Sequence, residues 1–156
     1  MTVPAGEVHN IVAEIWESML GLPVGVGSDD NPSGTGREVC AAVQITGAWD
    51  GAVIIECDEV AAAAFTRAML GLEDEDPTES DVHDVMGELA NMAGGNVKAM
   101  VGDDTRLSLP TVVVGERLDL SVPGATKVVS SNFVADGVPF SVVVMAKSGP
   151  AIAAVG

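Results

Sequence analysis

Between residues 7 and 20, EVHNIVAEIWESML places Val8, Ile11, Val12, Ile15 and Met19 at helical spacing, the repeat of one buried helix face. Gly21 and Pro23 follow as stop signals. The repeat is lost over GLPVGVGSDDNPSGTG at 21–36, where turn residues predominate and a mobile loop is predicted. That segment lacks the GK[ST] ending of a phosphate-binding loop. Two β-rich runs, REVCAAVQITG at 37–47 and WDGAVIIEC at 49–57, are separated by a short turn and predict a hairpin. Asp58 stands where it can cap a second helix, EVAAAAFTRAMLG, that ends at Gly71. The acidic EDEDP run after it reads as a solvated connector.

A longer helical pattern runs from Thr78 to Val101, and a strand is expected over 110–121. Further strands at 126–135 and 138–147 flank Asp136-Gly137, a common hairpin turn pair. Helices alternating with antiparallel hairpins predict an α+β domain in which helices pack on a sheet. The 156 residues fit one domain, 1–156, long enough to bury its own core without metals or disulfides.

The two helical patterns are alike. EVHNIVAEIWESML set beside DVHDVMGELANMAG, which starts at residue 81, matches Val8 with Val82, His9 with His83, and Glu14 with Glu88. Each is followed by a hairpin, VQITGAWDGAVII in the first half and NFVADGVPFSVVV in the second. A unit of helix plus hairpin, about 7–57 and 78–147, is therefore expected twice, as a pseudo-twofold fold; chance similarity between two amphipathic helices is the alternative. The informative difference is Glu17, which stands where the second copy has Asn91.

On the second helix, at about 100° per residue with Asp84 as origin, Glu88 lies about 40° to one side and Asn91 about 20° to the other. Gly95 and Lys98 continue the same polar stripe, while Val82, Val85, Met86, Leu89, Met92, Ala93, Val97 and Met100 face the opposite way. A solvated face is the plain reading of such a stripe. The glycines argue against it, because each of Gly87, Gly94 and Gly95 costs about 0.8–1 kcal/mol relative to alanine inside a helix. Gly95 removes a side chain that would crowd whatever approaches Asn91, and Gly87 and Gly94 flank the stripe where they permit close packing or access.

Charge narrows the partners. A net charge of −16, from 7 basic and 23 acidic residues, disfavours nucleic acid and anionic membranes, whose binding relies on Lys and Arg. With three Phe, two Trp and no Tyr there is no platform for stacking bases. No signal-peptide pattern opens the chain and no apolar run approaches the ~18 residues of a membrane span, so a cytoplasmic protein is expected. Cys40 and Cys57 lie far apart in apolar stretches without CxxC spacing and read as buried structural thiols. His83 points off the stripe, His9 has less support still, Asn96 falls towards the packed side as a structural amide, and Trp16 and Trp49 read as core or interface anchors.

The spacing Asp84-xxx-Glu88-xx-Asn91, in DVMGELANMAGGNVKAM and followed by SLPTVVVG at 108–115, resembles the CheX, CheC and FliY group of chemotaxis phosphatases over nearly the whole chain. The resemblance implies a duplicated CheC-like fold and hydrolysis of the phospho-aspartate of a CheY-type response regulator. It implies that Asn91 orients the attacking water, that Glu88 pairs with the regulator's active-site lysine, and that Asp84 opens the motif. Asp84, Gly95 and Lys98 would belong to the partner-binding face, although Lys98 reads more simply as offsetting nearby acids. The first helix has lost its amide, so a single-site, CheX-like protein is the closer match. A homodimer is implied, with no cofactor bound by this chain and Mg²⁺ expected on the phosphorylated regulator. The alternative is a non-catalytic module of the same fold that docks on a regulator or another signalling partner.

Overall fold

The structure is a computed structural model and describes residues 3–28, 36–116 and 118–147. Helix α1 (Ala5–Ile15) buries Val8, Val12 and Ile15, then widens into a π-helical turn at Trp16–Leu20 that closes on Gly21. The wider turn changes which residues face inward. Trp16 and Leu20 are buried, and Met19, expected in the core, is exposed. Part of the predicted 21–36 loop is ordered as strand β1 (Val24–Val26), which pairs with a strand from the far end of the chain. Residues 29–35 of that loop lie outside the described residues.

Strands β2 (Arg37–Gly47) and β3 (Gly51–Asp58) form the first hairpin. At its turn Gly51 leaves room for the Trp49 ring, which is buried there. Helix α2 (Glu59–Leu70) starts where the Asp58 carboxylate accepts a 2.8 Å bond from the Ala61 amide, and ends at Gly71 in the left-handed conformation, φ 68°. The EDEDP connector is not simply solvated. Arg67 Nη2 donates to Asp76 Oδ1 at 2.9 Å and Arg67 Nε to the Glu75 carbonyl at 3.2 Å, which ties the run back to α2.

Helix α3 (Glu79–Val101) follows, then β4 (Thr105–Leu107), β5 (Thr111–Glu116), β6 (Ala125–Ala135) and β7 (Val138–Lys147). The Asp136-Gly137 turn has positive φ at both residues, 51° and 75°, as a tight antiparallel hairpin requires. The strand expected over 110–121 ends at Glu116. Beyond it Leu120 and Val122 fold over Ala52, Ile54, Val143 and Met145, on the sheet face away from the helices. β4 was not anticipated from the sequence.

All the strands pair antiparallel in one sheet, in the order β1-β6-β7-β3-β2-β4, with β5 also on β2. The hairpins meet at β3 and β7, Ile54 opposite Val143. β1 precedes the first hairpin yet pairs with β6 of the second, and β5 precedes the second yet pairs with β2 of the first. The helices cross over too, α3 packing on β2 and α1 on β6. The core between helices and sheet centres on Trp16, Phe65, Phe133 and Phe140, where Trp16 stacks on Phe140 at 4.7 Å and Phe65 meets it edge-on.

Candidate functional site on helix α3

Helix α3 is fixed at both ends. Its first turn carries a capping box, in which the Asp81 amide donates to Thr78 Oγ1 at 3.0 Å and the Thr78 amide to Asp81 Oδ2 at 3.3 Å. This satisfies two amides that a helix start leaves without partners. At the far end the Gly102 amide donates to the Lys98 carbonyl, and φ is 119° at that glycine. Val85, Met86, Leu89, Ala93, Val97 and Val101 hold the underside in the core, with Val82, Met92 and Met100 half-buried at its margin.

The outward stripe carries the motif. Asp84 and Glu88 are exposed, while Asn91, Gly95 and Lys98 are half-buried. Glu88 and Asn91 are i, i+3 neighbours on one helix, so an acid and an amide reach solvent side by side on a rigid support. A cleft of about 450 Å³ lies beside the first turn of α3, lined by Arg37, Glu59, Arg67, Asp76, Glu79 and His83 among others. His83 faces that cleft and stands apart from the motif.

The three glycines have different tasks. A Cβ at Gly95 would meet nothing within 4 Å, so its face is open. A Cβ at Gly94 would collide with Val43 Cγ2 of β2 and press on Leu107 Cδ1 at 3.1 Å. Gly94 therefore serves helix-to-sheet packing. A Cβ at Gly87 would sit 3.4 Å from Pro110 Cγ, ordinary contact, which puts the β4–β5 connection against this flank of the helix. The sequence drew attention to the glycines together and could not separate these roles, because what each faces depends on the sheet.

Asn96 is the satisfied amide expected, though not on the packed side. It is exposed, with Nδ2 donating 2.8 Å to the Met92 carbonyl of its own helix. An amide at the margin of the buried arc is satisfied there by the backbone of its own helix. Asn10 and Glu14 of α1 are also exposed, as is Glu17, which falls in the π-helical turn after it. The first copy thus departs from the second in backbone geometry as well as in side chain, which sequence matching did not show. His9 packs against Phe133 with ring centroids 4.8 Å apart.

Both cysteines are buried and free. Burial, with Glu56 and Glu38 nearby, pushes the Cys40 thiol up to about 12, and burial likewise raises Cys57. Neither supplies a thiolate nucleophile near neutral pH. Among the described residues no group of three or more His, Cys, Asp or Glu is placed to hold a metal ion, and no helix is long and apolar enough to cross a membrane.

The sequence matches the family Chemotaxis phosphatase CheX over residues 39–134, a span that includes all of α3 and excludes α1. No curated protein matches it. Among solved structures, CheX from Desulfovibrio desulfuricans superposes with a TM-score of 0.74 at 23% identity, covering 92% of this chain and 98% of that one. CheX from Vibrio vulnificus gives 0.73 at 21% identity, covering 91% and 95%. The CheX-CheY-BeF3-Mg²⁺ complex from Borrelia burgdorferi matches with 0.69 at 18% identity, covering 94% and 99%. These likenesses establish a shared fold.

Proposed function

The chain belongs to the chemotaxis phosphatase CheX family, and on that premise we propose that it hydrolyses the phospho-aspartate of a CheY-type response regulator, with Asn91 and Glu88 carrying the activity. The observation behind this reading is the outward stripe of α3, where exposed Glu88, accessible Asn91 and the open face at Gly95 stand together on a helix locked at both ends. Such a ridge fits into another protein's active site. The Borrelia burgdorferi relative, solved with CheY, makes a receiver domain the natural partner for it.

An acyl phosphate is already activated, and the reaction needs a water held in line with the scissile bond. Asn91 can accept a hydrogen bond from that water through its amide oxygen, without adding charge next to the phosphoryl group. Attack forms a bond from the water oxygen to phosphorus and breaks the bond to the aspartyl oxygen, releasing inorganic phosphate and a free carboxylate. Glu88, beside Asn91, would pair with the regulator's lysine and fix the approach. Mg²⁺ on the regulator would neutralise the charge developing on the phosphoryl oxygens. At the corresponding place on α1, Glu17 would bring a negative charge to the water, and α1 is assigned no activity.

The test is phosphate release from a phosphorylated receiver domain with Mg²⁺ present. Wild type is expected to accelerate release, and Asn91→Ala to lower that acceleration by about 100-fold, the loss typical of a misplaced reactant. Glu88→Ala should weaken binding to the receiver. Binding without any acceleration by wild type would make the chain a docking module instead.

A further inference from the structure

β4 and β5 run along the same strand, β2, but not in continuous register. Ile45 pairs with Leu107 and Ala42 with Thr111, so Val43 and Gln44 stand opposite Ser108, Leu109 and Pro110. One residue is in excess. This is the arithmetic of a β-bulge, which re-aims a side chain and is common beside active sites. The bulge is pinned by Ser108, whose amide donates to the Gln44 carbonyl at 2.9 Å and whose hydroxyl accepts from the Gln44 amide at 2.9 Å. Pro110, with no amide hydrogen to donate, packs towards Gly87.

Leu109 is thereby held out in solvent, at 88% exposure the most open of the large apolar side chains among the described residues. Its neighbours fix its place along α3. Leu107 lies at Gly94 and Pro110 at Gly87, and between those glycines α3 carries Glu88 and Asn91. Leu109 therefore stands level with the motif, beside the polar stripe of α3. What sets it apart from other exposed apolar residues is its place beside the motif on a backbone pinned by Ser108, which spares the entropy that a loose loop would lose on docking.

We propose that Leu109 is an apolar anchor for the receiver domain, entering a hydrophobic patch beside the phosphorylated aspartate while Asn91 and Glu88 enter the active site. This rests on the response-regulator reading given above. It adds a second point of attachment, which fixes the rotation of the two proteins about the helix ridge. Leu109 touches no reacting atom in this scheme; it is a positioning residue.

The experiment compares wild type, Leu109→Ser and Val26→Ser, the last an exposed apolar residue (78%) on β1 at the opposite end of the sheet. Binding to a receiver domain activated with beryllofluoride and Mg²⁺ is measured alongside KM and kcat for phosphate release. Leu109→Ser is expected to raise Kd and KM about tenfold, as for a leucine denied burial, with kcat within about twofold and Val26→Ser unaltered. If wild type binds and hydrolyses while Leu109→Ser matches it in Kd and KM, the anchor is refuted and the phosphatase reading stands. If wild type neither binds nor accelerates, the phosphatase reading fails and the anchor falls with it.

Discussion

Gly95→Ala should make the protein more stable and less active. The added methyl meets nothing within 4 Å, so no packing penalty opposes the gain of about 0.8–1 kcal/mol that alanine has over glycine within a helix. For a chain of this size that corresponds to a rise in Tm of about 2–4 °C. Gly94→Ala, one residue earlier, receives the same helical gain, but its methyl collides with Val43 Cγ2 and crowds Leu107. Overpacking of this kind costs about 1–3 kcal/mol, which cancels or exceeds the gain, so Gly94→Ala should be neutral or destabilised by up to about 2 kcal/mol. Urea or thermal unfolding reads the stabilities, and phosphate release from a phosphorylated receiver reads the activity. Gly95→Ala should lower kcat/KM because the methyl occupies the approach to Asn91. A Gly95→Ala protein no more stable than wild type would refute the open-face geometry. A stabilised protein with undiminished turnover would refute the role of Gly95 as clearance.

Asn91→Asp should be as inactive as Asn91→Ala in the phosphate-release assay, because a carboxylate there repels the phosphoryl group as Glu17 would on α1; full activity would mean that the amide's neutrality does not matter. Iodoacetamide should label Cys40 and Cys57 at pH 8 only when denaturant unfolds the chain, as mass spectrometry can follow. Since the Cys40 thiol is raised from 9.0 to about 12 in the fold, the unfolded state loses its proton first. Stability should therefore fall as pH rises from about 9 towards about 12, less steeply in a Cys40→Ala, Cys57→Ala variant. Asp58→Ala removes the 2.8 Å bond to the Ala61 amide and should cost about 1 kcal/mol of unfolding free energy, with no direct effect on turnover.

What was legible in the sequence was what neighbouring residues decide. Asp58 and Gly71 bracket α2, Thr78 starts α3, and Asp136-Gly137 turns the second hairpin, each through local backbone chemistry. The stripe of Asp84, Glu88 and Asn91 was legible too, because helical phase sorts exposed from buried residues. The rest depends on distant partners. Val24–Val26 becomes a strand because β6 offers an edge, and the bulge at Leu109 exists only relative to β2. Met19 turns outward because the chain widens after Ile15, a change that an apolar count at fixed period misses. The division of labour between Gly94 and Gly95 likewise appears only once Val43 is in place beneath one of them.

The exchange of β1 and β5 between the two hairpins, with α1 and α3 crossing in the same sense, means that half of this chain is not a small version of the whole. A lone helix-and-hairpin unit has nowhere of its own to rest its helix and must lend its leading strand to a second copy. Tethering two such units end to end makes that loan permanent and frees the pair from matching each other. One helix is then free to diverge from the other, as the π-helical turn after α1 and the unbroken α3 already do.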